Sequence, residues 1–218
     1  MQCRALLFDL DGVLVDSLPA VARVLRAWAA TRGLDADLLI KTSQGRRTSE
    51  MLGAVAPWLD IPREVEILDD MEERETESMH AMAGAKQLLD QLTPGQWAIV
   101  TSGSRRLSTS RLKNAGLPIP PVFVTGDQVE RGKPDPQCYL LAASLLGVAP
   151  ADALVLEDAP IGIAAAMAAG IRAIGVAPNG VTLADAVLTV PAPSGLRLEQ
   201  LPGGWIEIHS APVGYSRK

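Results

Sequence analysis

Ala5-Leu6-Leu7-Phe8-Asp9-Leu10-Asp11-Gly12 decides how this chain is read. An apolar run without polar alternation suits a strand buried on both faces, as in a parallel sheet covered by helices. The run ends on two carboxylates one residue apart, followed by glycine. Like charges at the end of a buried strand repel unless something offsets them. A divalent cation would do so, because hard cations take oxygen ligands. A turn capped by aspartates is the plainer reading, and this stretch alone divides evenly between the two.

The same pattern recurs along the chain. Trp97-Ala98-Ile99-Val100 ends at Thr101-Ser102-Gly103, and Val122-Phe123-Val124 ends at Thr125-Gly126-Asp127. Ala153-Leu154-Val155-Leu156 ends at Glu157-Asp158, and Ala173-Ile174-Gly175-Val176 ends near Pro178-Asn179-Gly180. Helical patterns fit between these runs over 104–115, 136–146 and 160–169, the last closed by Gly170. The predicted class is α/β, a Rossmann-like parallel sheet flanked by helices. Ligands of such open sheets bind beyond the carboxyl ends of the strands, where the acids and hydroxyls collect here. Asp9 and Asp158 are distant in sequence, yet this topology can bring them together.

Between the first and second runs there is no convincing strand. Helical spacing over 19–28 and 64–79 predicts a small all-helical insertion at 16–82, leaving 1–15 and 83–218 as the core. The run Asp69-Asp70-Met71-Glu72-Glu73-Arg74-Glu75 reads as the solvated face of that insertion. The tail after Pro191 reads as loop-rich, with Trp205-Ile206-Glu207-Ile208 as a short edge strand.

Composition narrows the partners. Of 218 residues, 48% are hydrophobic and 21% charged, enough for one sizeable core and too apolar for disorder. A net charge of −5 disfavours a nucleic-acid footprint. Cys3 and Cys138 lack metal-site spacing and read as buried thiols, and His80 and His209 stand alone. Apolar stretches fall short of the roughly 20 residues a membrane helix needs. The N-terminus turns acidic before a signal core could form. A soluble, cytoplasmic protein is expected, with no nucleic-acid or membrane partner and a monomer favoured over an oligomer.

Three further features bear on chemistry. Ser102-Gly103 offers a hydroxyl and unhindered backbone N–H groups, suited equally to phosphate oxygens or to a helix cap. Gly132-Lys133-Pro134 sets a lysine in a rigid loop, where it can act as a fixed point charge. Glu157-Asp158 adds two acids at another strand end, as metal ligands or as caps of the following helix.

In this order the four elements resemble the motifs of the haloacid-dehalogenase superfamily. Phe8-Asp9-Leu10-Asp11-Gly12-Val13-Leu14-Val15-Asp16-Ser17 looks like the first and Val100-Thr101-Ser102-Gly103-Ser104 like the second. Gly132-Lys133-Pro134-Asp135-Pro136 looks like the third, and Val155-Leu156-Glu157-Asp158-Ala159-Pro160 with Gly162-Ile163 like the fourth. The insertion is similar to the C1-type cap of that family. Gln44-Gly45-Arg46-Arg47-Thr48 and the residues around 97–104 look closest to sugar-phosphate and glycerol-phosphate phosphatases.

The resemblance implies a phosphatase acting on a small phosphate ester. By it, Asp9 is the nucleophile and Asp11 the general acid and base. Ser102, Gly103 and Lys133 hold the phosphoryl oxygens. Mg2+ is bound by Asp9, the Asp11 carbonyl and Asp158, with Glu157 nearby. In the cap, Arg47 or Arg46 is expected on the substrate, because arginine presents a planar fork of donors.

Rival readings fare worse. A P-loop needs four residues between its glycines and Ser or Thr after the lysine. Here five residues separate Gly126 from Gly132, and proline follows Lys133. Dehalogenases of the superfamily need neither Asp11 nor magnesium. A sugar phosphomutase shares all four motifs, but typically carries histidine where Val21 stands. A decayed, non-catalytic protein would have lost some of the polar residues, and all are present.

Overall fold

Each apolar run becomes a strand in the computed structural model, which describes residues 1–178 and 180–210. Asn179 and the expected core residues 211–218 lie outside the described residues. The chain opens with β1 (Gln2–Cys3), β2 (Ala5–Phe8) and β3 (Val15–Asp16). Helices α1 (Leu18–Arg32), α2 (Ala36–Ser43), α3 (Thr48–Val55) and α4 (Ile61–Glu75) follow. The chain returns through β4 (His80–Ala81) and α5 (Ala85–Leu89). Alternation then sets in with β5 (Trp97–Val100), α6 (Arg105–Asn114), β6 (Phe123–Val124) and α7 (Gln137–Leu146). It continues through β7 (Ala153–Glu157), α8 (Pro160–Ala168), β8 (Arg172–Val176) and β9 (Leu188–Val190). Last come β10 (Leu196–Leu201) and β11 (Trp205–Ser210).

The main sheet is parallel, in the order β6-β5-β2-β7-β8-β9. Successive side chains of β2 point to opposite faces, so Leu6 and Phe8 enter one apolar cluster and Leu7 the other. The strand order reverses around β2, whose Phe8 pairs with Ile99 on one side and Leu156 on the other. That register brings the carboxyl ends of β2, β5 and β7 level. Asp9, Thr101-Ser102 and Glu157-Asp158 therefore leave the sheet at one place, the crevice such a reversal creates.

Helices α1 to α4 enclose an apolar cluster of their own around Trp28, Leu39, Met51, Leu52 and Leu68. Trp28 Nε1 donates to Glu64 Oε2 at 2.8 Å, and Arg32 pairs with the same carboxylate. Asp35 caps α2 by accepting from the N–H groups of Asp37 and Leu38. Asp60 caps α4, which has proline in its first turn. Where the helical segment leaves and rejoins the core, β3 and β4 pair antiparallel, Asp16 opposite His80. The absence of strands expected between 16 and 82 thus gives way to a short ribbon, too brief for periodicity to reveal.

Two further expectations are corrected. The tail after Pro191 is not loop-rich: β10 and β11 form a hairpin, and β1 completes a three-stranded antiparallel sheet with β11 in the centre rather than at the edge. Leu196, Ile206 and Ile208 bury against the sheet, an alternation that half-buried strands require. The run 69–75 is not uniformly solvated either. Asp70 and Arg74 are exposed, whereas Asp69 and Glu72 are buried where α4 docks on α6.

Candidate active site

Asp9 follows the last residue of β2 and is 6% exposed. One carboxylate oxygen each from Asp9, Glu157 and Asp158 lie within 4.8 Å of one another. Lys133, also buried, donates from Nζ to Asp9 Oδ1 and to Glu157 Oε1, both at 2.6 Å. Glu157 is saturated: Tyr139 donates its hydroxyl to Oε1, and the Ala159 N–H donates to Oε2 at 2.7 Å. Among the described residues, Asp158 accepts no protein hydrogen bond.

Three acids against one ammonium leave excess negative charge in a dry place. Burial pushes Asp9 up to about 7, with Glu157 and Asp11 adding to it against the pull of Lys133. Burial, then the neighbouring Glu157 and Asp9, pushes Asp158 up to about 9. Burial opposes the charge on Lys133, but Asp9 and Glu157 outweigh it and hold the ammonium well above its ordinary value. An all-oxygen donor set carrying surplus charge fits a hard divalent cation.

Two glycines make room for this cluster. A Cβ on Gly12, whose φ is +76°, would lie 2.3 Å from Asp158 Oδ2. One on Gly162 would lie 1.7 Å from Glu157 Oε1.

Asp11 lines the same pocket as Asp9, Ser102, Gly103 and Asp158. Both its oxygens are engaged: Ser17 donates its hydroxyl to Oδ1 at 2.5 Å, and Arg111 Nη1 donates to Oδ2 at 2.6 Å. The other terminal nitrogen of Arg111 donates to Glu72 on α4. Sequence reasoning missed Arg111, Asp69 and Glu72. The available signal was an arginine on the buried stripe of α6, beside Leu107 and Leu112.

The remaining expected residues divide. The Ser102 hydroxyl donates to the Gly45 carbonyl at 2.7 Å, joining the end of β5 to the α2–α3 loop, and the Gly103 N–H donates to Thr101 Oγ1 at 3.1 Å. Arg46 is exposed and lines the pocket. Arg47 does not. Its guanidinium donates to the carbonyls of Val129 (2.9 Å) and Glu130 (3.0 Å) and pairs with Glu50, which also accepts from the Gly132 N–H. The expectation of Arg47 on substrate is therefore corrected: this side chain fastens the start of α3 to the loop that carries Lys133.

An acid leaving the central strand, a buried lysine bridging it to a second acidic pair and a helical segment over the crevice are now in place. Residues 6–176 match the family profile described as haloacid dehalogenase-like hydrolase. The chain belongs to this family. Among relatives of this haloacid dehalogenase-like hydrolase, hexitol phosphatase A of Escherichia coli (strain K12) is 46% identical over 181 residues, 81% of this chain and 84% of that one. Glycerol-1-phosphate phosphohydrolase 2 of Saccharomyces cerevisiae (strain ATCC 204508 / S288c) is 33% identical over 189 residues, 81% and 76% of the two chains. A β-phosphoglucomutase structure from Clostridium difficile superposes with a TM-score of 0.79, covering 89% of this chain and 93% of that one. At 22% identity that likeness concerns the fold alone. Among the described residues no helix is long and apolar enough to cross a membrane.

Proposed function

We propose that this hydrolase is a magnesium-dependent phosphatase of small phosphorylated sugars, polyols or hydroxy acids, working through an aspartyl-phosphate on Asp9. The observation that carries the reading is Asp9 itself: a carboxylate at the centre of the sheet, one oxygen held by Lys133 and Asp11 lining the same pocket.

In the first step an Asp9 oxygen attacks phosphorus, the ester P–O bond breaks, and Asp11 delivers a proton to the departing alkoxide oxygen. In the second, Asp11 takes a proton from water as that water attacks phosphorus. The acyl-phosphate P–O bond breaks, releasing inorganic phosphate and restoring the Asp9 carboxylate. Lys133 offsets the repulsion between the anionic nucleophile and the anionic ester. Ser102 and Gly103 would turn from Gly45 and Thr101 to the phosphoryl oxygens, and Asp11 would leave Ser17 or Arg111 to reach the leaving oxygen. Glu157, with both oxygens engaged, orients Lys133. Asp9, Asp158 and the Asp11 carbonyl would hold Mg2+, which when bound neutralises acid cluster and phosphate together. Residues 16–82 act as a cap that keeps bulk water from Asp9, and Arg46 is the cap arginine that faces substrate. A cytoplasmic, monomeric enzyme fits this reading.

Val21 lines the pocket at the position where phosphomutases carry histidine, which supports hydrolysis over isomerisation. The test is magnesium-dependent phosphate release from hexitol, hexose, glycerol and glycolate phosphates. Release abolished by chelator and by Asp9→Asn is expected. Conversion of β-glucose 1-phosphate to its 6-phosphate without phosphate release would replace this reading with the mutase.

A further inference from the structure

Within the phosphatase reading, on which this inference rests, we propose that Asp69 and Glu72 select a neutral, polyhydroxylated leaving group and reject one bearing a second anion. Both carboxylates line the pocket that holds Asp9 and Asp11, yet they are only 9% and 6% exposed. Buried acids are costly unless something bonds to them. The structure satisfies half of each. Asp69 Oδ2 accepts from the Ser104 hydroxyl at 2.7 Å, and Glu72 Oε2 accepts from Arg111. The second oxygen of each accepts no hydrogen bond among the described residues, and neither is sealed from the pocket.

Three residues apart on α4, the two carboxylates share one helix face. They offer adjacent acceptors and no donor, the complement of neighbouring hydroxyl groups, and hydrogen bonds to a charged acceptor are the strong kind. Val21, Leu25, Ile40 and Met51 line the same pocket and suit the C–H surface of a polyol or sugar. Charge completes the case. The charge of Arg111 is already matched by Asp11 and Glu72, so above about pH 7, where Glu72 is ionised, a carboxylate or second phosphate on the leaving group would meet two anions and, among the described residues lining the pocket, only the unpartnered Nε of Arg111 as a buried cationic donor. Arg46, the other lining arginine, is exposed to water, which weakens its pull. Repulsion of the wrong partner is a means of specificity in its own right. Of the three substrate classes proposed above, hydroxy-acid phosphates drop out.

The experiment compares kcat/KM of the full-length enzyme with magnesium on sorbitol 6-phosphate and glycerol 1-phosphate against 2-phosphoglycolate and fructose 1,6-bisphosphate. Wild type is expected to favour the neutral esters by about tenfold or more. Asp69→Asn and Glu72→Gln should each shrink that ratio roughly tenfold, raising KM for the neutral esters, whose hydroxyls lose a charged acceptor, and lowering it for the anionic ones, since an amide also donates to an anion. Should Glu72→Gln fail to fold for loss of the Arg111 pair, Asp69→Asn decides, because Asp69 pairs only with a hydroxyl. Equal or better turnover of 2-phosphoglycolate, or a ratio unmoved by Asp69→Asn, overturns the inference while leaving the phosphatase standing. No phosphate from any ester overturns both.

Discussion

Arg111 Nη1 lies 2.6 Å from Asp11 Oδ2, and the same guanidinium reaches Glu72 on α4 with its other terminal nitrogen. One buried arginine thus ties the carboxylate two residues past Asp9 to the helical segment above it. A planar fork reaches two carboxylates from two separate nitrogens, whereas an ammonium here would have to reach both from a single point. Methionine at this position would leave Glu72 buried without a partner and Asp11 with Ser17 alone. Arg111→Met is expected to cost about 3–5 kcal/mol in urea unfolding, with kcat falling as well, and Arg111→Lys to fall between it and wild type. A methionine variant as stable as wild type would show that the pairing contributes nothing.

On the proposed mechanism, Asp9→Asn removes the nucleophile without changing its shape. Phosphate release is expected to drop by about a thousandfold or more, while far-UV circular dichroism stays that of wild type. Lys133 keeps Glu157 as a partner, so the fold retains one arm of the buried bridge. Substantial turnover by the variant would move the nucleophile elsewhere.

Stability should depend on pH in a direction opposite to the usual acid denaturation. Asp9 and Asp158 are raised from 3.8 to about 7 and about 9 in the folded chain, and Glu72 from 4.5 to about 7. As pH climbs above about 4, the unfolded chain releases these protons while the folded chain keeps them. Their contribution is full below the unfolded values and is lost as pH rises through the folded ones. In chelator, Tm is expected to decline between about pH 5 and about pH 9 on their account. Millimolar magnesium, bound by the ionised acids of the folded state, should restore most at the alkaline end. A Tm in chelator that climbs over this range, with no response to magnesium, would argue against a cation at these acids.

Gly162 and Gly53 should respond to alanine with opposite signs. At Gly162 a Cβ would strike Glu157, which Lys133, Tyr139 and the Ala159 N–H hold in place. A loss of about 1–3 kcal/mol is expected, with activity falling too. At Gly53, inside α3, the nearest atom to a Cβ is 3.8 Å away, an ordinary contact. Gly53→Ala should stabilise by about 0.5–1 kcal/mol. Denaturant midpoints of the two variants check both, and the same sign in both would count against this reading of the packing.

What could be read from the chain alone was whatever is coded by neighbours. The β2, β5, β7 and β8 runs announce buried parallel strands through unbroken apolar residues, and Asp9, Asp11, Ser102, Lys133, Glu157 and Asp158 stand at the ends of runs or in a Gly-Pro bracket. A strand end is a local feature, so local pattern suffices to find it. The β10–β11 hairpin was half legible, since the alternation at 205–208 was visible but its partner strands were not.

The wall facing those acids was decided only in three dimensions. Asp69 and Glu72 sit in a charged run that reads as solvated, and Arg111 in a helix read merely as a connection. Their burial comes from α4 docking on α6 across contacts 35 and 39 residues apart. Arg46 and Arg47 are adjacent and chemically identical, yet one lines the pocket and the other is claimed by the carbonyls of Val129 and Glu130. Sequence determined which groups can do chemistry at the strand ends. Which charged side chains face them was left to the docking of the helical segment, because burial of a charge depends on partners that no local spacing encodes.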